Sequence, residues 1–378
     1  MDTNRLKLGI VFNFNPSWMG GIIYILNLIR TLNFLDDDEK PEIVLFYRAD
    51  LKKFAEQIKY PHFKAVEWHF PNVYSGYIKS WLSGKNEFIE KIIRQYALDG
   101  LYPVHDFPVR TKGHTKVVCW YADLQHKHYP RFFRKRKLFE RSMRIRFIIK
   151  NCNSLVLSSQ AVKDDFRKFF RLDEKMNVHI FHFVSVIDDL EGLDIDIVRE
   201  KYKLPAKYFM ISNQFHKHKN HKVLLEALAL LKQRDSKVHL AITGRFRDST
   251  HSPYMKELHE IIDRHNLHSQ ISLLGIIPRN EQLLLMKHSQ AVLQPSLFEG
   301  WSTVIEDAIS LQVPVVASDL SVNIEQLGEK GTYFNPHNAE ELASILHSFP
   351  ERNSNVQLYD DYETRVRSAA RDFIRIFS

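Results

Sequence analysis

In the stretch QPSLFEGWSTVIEDAISLQ, residues 294–312, two carboxylates, Glu299 and Glu306, flank a Gly300–Trp301–Ser302–Thr303 turn. The turn leads into a segment whose apolar residues, Val304, Ile305, Ala308 and Ile309, fall at helical spacing. Backbone N–H groups at a helix start have no partner inside the helix, and a glycine just before them lets a ligand come close, so the place suits an anion. A carboxylate one turn in, Glu306, is placed to grip hydroxyls beside that anion. Phosphate next to a polyol is what a nucleotide sugar presents. A plainer reading competes, because Thr303-x-x-Glu306 is also a capping box. No cap requires Glu299 before a Gly–Trp pair, and that carboxylate favours a ligand.

A second cluster, Asn213–Gln–Phe–His–Lys–His–Lys–Asn–His221, follows an apolar strand and precedes a helix through Val223, Leu224, Ala227 and Leu231. Cations at a helix start are unfavourable until an anion arrives, which suits Lys219 to a phosphate, while Lys217 reads as a solvated loop residue. His216, His218 and His221 have neither carboxylate nor thiolate companions, so no metal site is expected. At 118–130, VCWYADLQHKHYP, a strand ends in Asp123, Gln125, His126 and His128, where open α/β sheets bind ligands. Asp123 and His126 are acceptor-side candidates, with a satisfied loop histidine as the alternative. Gly20–Gly21 follows the first strand without a full G-x-G-x-x-G, which leaves a tight turn and a ligand contact both open. No Ser–His–Asp or Cys–His arrangement and no G-x-S-x-G is legible, which disfavours a hydrolase.

These residues need a scaffold, and 378 residues suffice for two domains with real cores. Apolar runs at Leu8–Phe12, Ile43–Tyr47, Gly100–Val104, Val117–Tyr121 and Ser154–Leu157 alternate with helical or irregular stretches, the rhythm of a parallel sheet. A second series follows near 208–212, 238–243, 271–274, 291–294, 313–317 and 332–334. Residues 71–86 read as a loop, the acidic 184–200 as an interdomain link, and 360–378 as a final amphipathic helix. Asp194-x-Asp196 reads as a helix start and not as a metal motif. Cys119 and Cys152 give no disulfide framework, the N-terminus has no signal-peptide pattern, and no run reaches the ~18 apolar residues of a membrane span. A reducing, cytoplasmic setting is expected. The net charge of +8 favours acidic partners. Nine Lys or Arg and one Glu fall within 131–150, interleaved with Phe132, Phe133, Leu138, Phe139 and Met143. That pattern fits peripheral contact with an anionic membrane, and equally a helix packing its apolar stripe on the domain.

Taken together, PSLFEGWSTVIEDAISLQVPVVASD at 295–319, LLGIIPRNEQLLLMKHSQAVLQ at 273–294, Lys219–Asn220–His221 and Gly20–Gly21 resemble the motifs of the retaining GT-B glycosyltransferases of the fourth glycosyltransferase family, most closely over 206–350. The resemblance implies an α/β protein of two Rossmann-like domains with parallel sheets facing a cleft. Residues 1–186 would be the acceptor side, 187–204 a linker and 205–357 the donor domain, with the helix of 358–378 crossing back to the first domain. It further implies a nucleotide-diphosphate sugar as donor substrate, no cofactor, no metal, and a glycan or lipid-linked glycan acceptor. By matching position, Glu306 would hold the ribose, Glu299 with Gly300, Trp301, Ser302 and Thr303 would face sugar and diphosphate, and Lys219 would neutralise the leaving diphosphate. Ile277 and Pro278 would flank the base, with Gly20, Gly21 and Asn213 completing the donor set. Three positions depart from the pattern. Six residues instead of seven separate Glu299 from Glu306, Gln214 stands where an arginine is usual, and Ala122 replaces a histidine, leaving His126 to serve the acceptor side. A nucleotide-sugar epimerase is the alternative within the fold. A basic nucleic-acid-binding protein is the alternative outside it, and concentration of the basic excess in one segment disfavours it, so no nucleic-acid partner is expected.

Overall fold

The computed structural model describes residues 5–16, 18–71, 73–84, 86–104, 115–172, 175–246, 252–353 and 356–378. Two units emerge: Met1–Val184 with Tyr362–Ser378, and Ser185–Asp361.

The first unit holds seven parallel strands: β1 (Lys7–Phe12), β2 (Glu42–Tyr47), β3 (Phe63–Glu67), β4 (Gly100–Val104), β5 (Lys116–Tyr121), β6 (Ser154–Leu157) and β7 (Asn177–Ile180). Their spatial order is β3-β2-β1-β4-β5-β6-β7, so the winding reverses between β1 and β4. Central strands buried on both faces have unbroken apolar sequences, as in Ile43–Phe46 and Leu155–Leu157. β3 differs. Its FKAVE sequence occupies a partly exposed edge, and for that reason it carries no apolar run to betray it. The final helix, Tyr362–Arg375, belongs to this unit, where Phe373 packs against Tyr102 and Phe181, and Arg371 bonds Glu39 in the acidic turn at 36–39. Gly100 lets that segment in, since a Cβ there would stand 2.4 Å from the Phe377 ring.

The second unit holds β8 (Phe209–Ser212), β9 (Leu240–Thr243), β10 (Ile271–Gly275), β11 (Val292–Gln294), β12 (Val315–Ser318) and β13 (Thr332–Phe334), in the order β10-β9-β8-β11-β12-β13. Alternation explains its two-sided core. Phe209, Ile211, Leu293 and Val316 enter one apolar layer, and Met210, Val292, Val315 and Ala317 enter the other. Here the winding reverses between β8 and β11, the position where open α/β sheets bind ligands.

Several expectations are corrected. Residues Val73–Ser83 form a helix and not a loop. Gly20 and Gly21 lie inside the first turn of helix Met19–Leu32, and the Gly21 Cα is covered by the Trp18 ring, which leaves no room for a Cβ. Asp194 starts helix Ile195–Lys201, as the sequence reading expects, by accepting from the amides of Asp196 and Ile197. Cys119 and Cys152 form a disulfide, where none was expected. Cys119 lies on β5, and Cys152 ends the helix Lys135–Asn151 that leads into the neighbouring β6, with the two Cα atoms 6.7 Å apart. Two cysteines 33 residues apart give no such signal in sequence, and the cysteine-based case for a reducing compartment falls away.

Candidate functional site

At the β8/β11 reversal, polar side chains replace the apolar ones as the strands end. Asn213, just past β8, donates from Nδ2 to Oε1 of Gln294 at 2.8 Å, and Gln294 is fully buried at the end of β11. From its own Nε2, Gln294 donates to Oε1 of Glu299 at 2.7 Å and lies 3.1 Å from the Ser302 hydroxyl. Lys219 completes the group with an ion pair to Glu299 at 2.6 Å, their side chains 18% and 10% exposed. Burial works against ionisation of Glu299, but the Lys219 ammonium, with hydrogen bonds from Lys219 and Ser296, outweighs it and holds the carboxyl below its usual range.

Two loops present these groups. A 3-10 turn, Lys217–Lys219, leads to Asn220 in the left-handed region (φ 55°) at the start of helix His221–Gln233. Asparagine tolerates that backbone, and its side chain ties the turn down by donating to the carbonyls of Pro295 and Pro336. Leu297 N donates to the His218 carbonyl at 2.7 Å, stitching the second loop to the first. Gly244 completes the close packing, because a Cβ there would meet the Asn213 carbonyl at 2.4 Å. His218 and His221 are pushed down to about 4 and about 3 by burial and by Lys219, so both are neutral in the ordinary pH range.

The helix expected after the Gly–Trp turn runs Thr303–Ser310, and its N-cap is Ser302, whose hydroxyl accepts from Ile305 N. The cap stands one residue before Thr303, so the capping-box reading of Thr303 and Glu306 does not hold. Glu306 is instead bonded by Gln326, which donates to its Oε1 at 2.8 Å and clamps Ser302 through both the N–H and the carbonyl. Glu306 is 2% exposed and Ser302 3%, so both sit within the site wall and not at an exposed edge. Thr303 and Val304 begin the helix, where the helix itself cannot bond their N–H groups. Gly300, Trp301 and Thr303 are half-buried around this start. Ile277 packs on the same unit's core, and Pro278 stands just before helix Arg279–Lys287.

Of the sequence candidates, Asn213, Lys219, Glu299, Ser302 and Glu306 are therefore drawn into one network through Gln294 and Gln326. Neither glutamine is among those candidates. Gln294 leaves a trace, as a polar residue ending the apolar strand β11; Gln326 lies in another helix, 20 residues after Glu306, with no local signal. Gly20, Gly21, Asp123 and His126 belong to the other unit. Asp123 accepts from Gln125 N, which starts the short helix Gln125–His128. His126 is 2% exposed with no hydrogen-bond partner at either ring nitrogen, and burial, with Arg141 and Lys127 nearby, pushes it down to about 4. Among the described residues no cluster of His, Cys, Asp and Glu is built to hold a metal.

Two doubly wound parallel sheets with a last helix returning to the first unit define an α/β protein of the GT-B fold. Sucrose-phosphate synthase from Thermosynechococcus elongatus has this fold, with a TM-score of 0.68 at 15% identity, covering 99% of this chain and 98% of that one. So does Alr3699/HepE of Anabaena, solved in complex with UDP and glucose, with a TM-score of 0.63 at 19% identity over 99% and 97% of the two chains. Residues 194–369 match the family described as glycosyl transferases group 1. The O-antigen chain mannosyltransferase RfbU of Salmonella typhimurium is 23% identical over 244 residues, 64% of this chain and 63% of that protein. The putative glycosyltransferase EpsF of Bacillus subtilis is 32% identical over 106 residues, 28% and 26% of the two. Each curated relative is thus matched over less than two thirds of its length.

Proposed function

We propose that this protein transfers a sugar from a nucleotide-diphosphate sugar to a hydroxyl of a glycan acceptor, with retention at the anomeric carbon, in polysaccharide or glycolipid synthesis. The observation that carries the proposal is the network of Asn213, Gln294, Glu299 and Lys219 at the sheet reversal, beside a helix start whose first turn holds Glu306. A diphosphate leaving group builds negative charge on its oxygens. Lys219 and the N–H groups opening helix Thr303–Ser310 supply fixed positive charge for it without a metal, and Glu299 and Glu306 supply hydroxyl partners for sugar and ribose. The acceptor oxygen bonds to the anomeric carbon as the carbon–phosphate oxygen bond breaks, and the acceptor proton passes to a phosphate oxygen of the leaving diphosphate, so no protein nucleophile is needed. Ile277, Pro278, Gly300 and Trp301 are proposed donor contacts, with Asp123 and His126 on the acceptor side. The curated relatives named as O-antigen mannosyltransferases support the reading.

Turnover of Lys219→Ala and Glu306→Ala tests it. Each is expected to lose about 100-fold or more in kcat, with circular dichroism unchanged; near-wild-type turnover in either would refute the assignment. We also assign peripheral contact with an anionic membrane, on the cytoplasmic face, to 131–150. Helix Lys135–Asn151 buries Ile145 and Ile148 in its second half but leaves Phe139 67% exposed beside Arg136 and Lys137. No described helix is long and apolar enough to cross a membrane. Flotation with phosphatidylglycerol vesicles is expected, lost on Phe139→Asp and absent with neutral vesicles; equal flotation of wild type and variant would exclude the contact.

A further inference from the structure

A cavity of about 510 Å³ opens in the first unit, between the segment that leaves β3, helix Val73–Ser83 and the start of helix Glu87–Tyr96. Trp68 and Phe88 form its apolar wall, and Lys79, Ser80, Asn86 and Lys91 bring polar groups to it. Trp68 is held edge-on by Phe46 and Tyr96, with ring centroids 5.6 and 6.3 Å away, and Lys91 Nζ stands 5.6 Å from its ring centroid. Asn86 caps the helix by accepting from Ile89 N through Oδ1, and it is 3% exposed. Among the described residues its Nδ2 has no hydrogen-bond partner. A buried amide donor left unmade is costly, and its natural partner is an acceptor atom brought in from outside.

The polar groups are mostly donors. Asn86 Nδ2, Lys79, Lys91 and the positive end of a ten-residue helix all favour an anionic oxygen, while Ser80 and the Glu87 carboxylate can take hydroxyl groups. The aromatic wall favours the C–H face of a ring, whose partial positive charge meets the negative π-face. Size fits as well, because ligand cavities of a few hundred Å³ hold one or two sugar rings. We propose that this cavity binds an anionic saccharide, a pyranose bearing a phosphate or carboxylate. Resting on the reading of the chain as a glycosyltransferase, that saccharide is part of the acceptor.

Glucose 1-phosphate serves as the probe, titrated calorimetrically into the full chain, with methyl α-glucoside as the neutral control. Asn86→Asp keeps the capping oxygen, replaces the donor by an acceptor and adds a negative charge that repels an anion, and a carboxylate suits a helix start, so the fold is retained. Lys79→Ala/Lys91→Ala alters only exposed side chains. Both variants are expected to weaken binding of glucose 1-phosphate by about tenfold or more, while Lys219→Ala, in the other unit, leaves this component unchanged. Equal affinity in wild type and both cavity variants, loss only in Lys219→Ala, no binding at all, or equally tight binding of methyl α-glucoside would each overturn the proposal. Thermal shifts with nucleotide sugars separate the two readings. A nucleotide shift without Asn86-dependent saccharide binding sinks this site alone, and the converse sinks the donor reading alone.

Discussion

Lys219 and Glu299 are each other's counterion in a mostly buried setting, and that fixes what their substitution does. Removing one partner strands the other, at a cost of about 3 kcal/mol or more. Lys219→Ala is therefore expected to lose stability as well as turnover, and Lys219→Ala/Glu299→Gln to recover stability but not turnover. Denaturant melts of the two singles and the double would show additive losses if the pair were not coupled. His126 and His221 give a second expectation. Both are buried, with folded-state values pushed down to about 4 and about 3 from an unfolded value near 6.5. Above pH ~6.5 neither state binds the proton; below it the unfolded chain binds it first, so stability falls as pH drops from ~6.5 to ~4, by up to about 1.4 kcal/mol per unit for each histidine. His126→Asn should flatten that slope in melts across the range, and an unchanged slope would show that His126 is not held neutral.

Helix Thr303–Ser310 is the element that carries the site, and its start is fixed from two sides, by the Ser302 cap and by Gln326 from helix Ser321–Leu327. Ser302→Ala is expected to cost about 1 kcal/mol, the usual value of an N-cap. Gln326 is not itself proposed to meet the donor but bonds Glu306 and Ser302, which are, so Gln326→Ala should loosen both and raise KM for the donor; an unchanged KM would show that Glu306 holds its position without it. The helix itself was legible from Val304, Ile305, Ala308 and Ile309, but its cap was not, because Ser302 and Thr303 are chemically equivalent as caps and only the backbone chooses. Edge strand β3 is not wrapped by core on both sides, so it does not need the apolar pattern that sequence reading depends on.

Across the whole molecule, the central strands of both sheets are legible as apolar runs, since parallel strands covered on both faces leave no choice of residue. What the sequence concealed is long-range: the Cys119–Cys152 bond, the Gln326 clamp and the cavity around Asn86 all join segments distant along the chain. If the second unit is the donor domain, nucleotide binding should slow hydrogen exchange at 213–221 and 294–306 and leave the first unit's β2 and β3 unaffected. The most direct test of the central claim is a thermal-shift panel of UDP, GDP and ADP sugars on wild type and Lys219→Ala. One nucleotide class at 100 times its dissociation constant is expected to add about 2.7 kcal/mol to wild type and far less to Lys219→Ala at the same concentration, whereas no shift with any of the three, or shifts that ignore Lys219, would contradict the account.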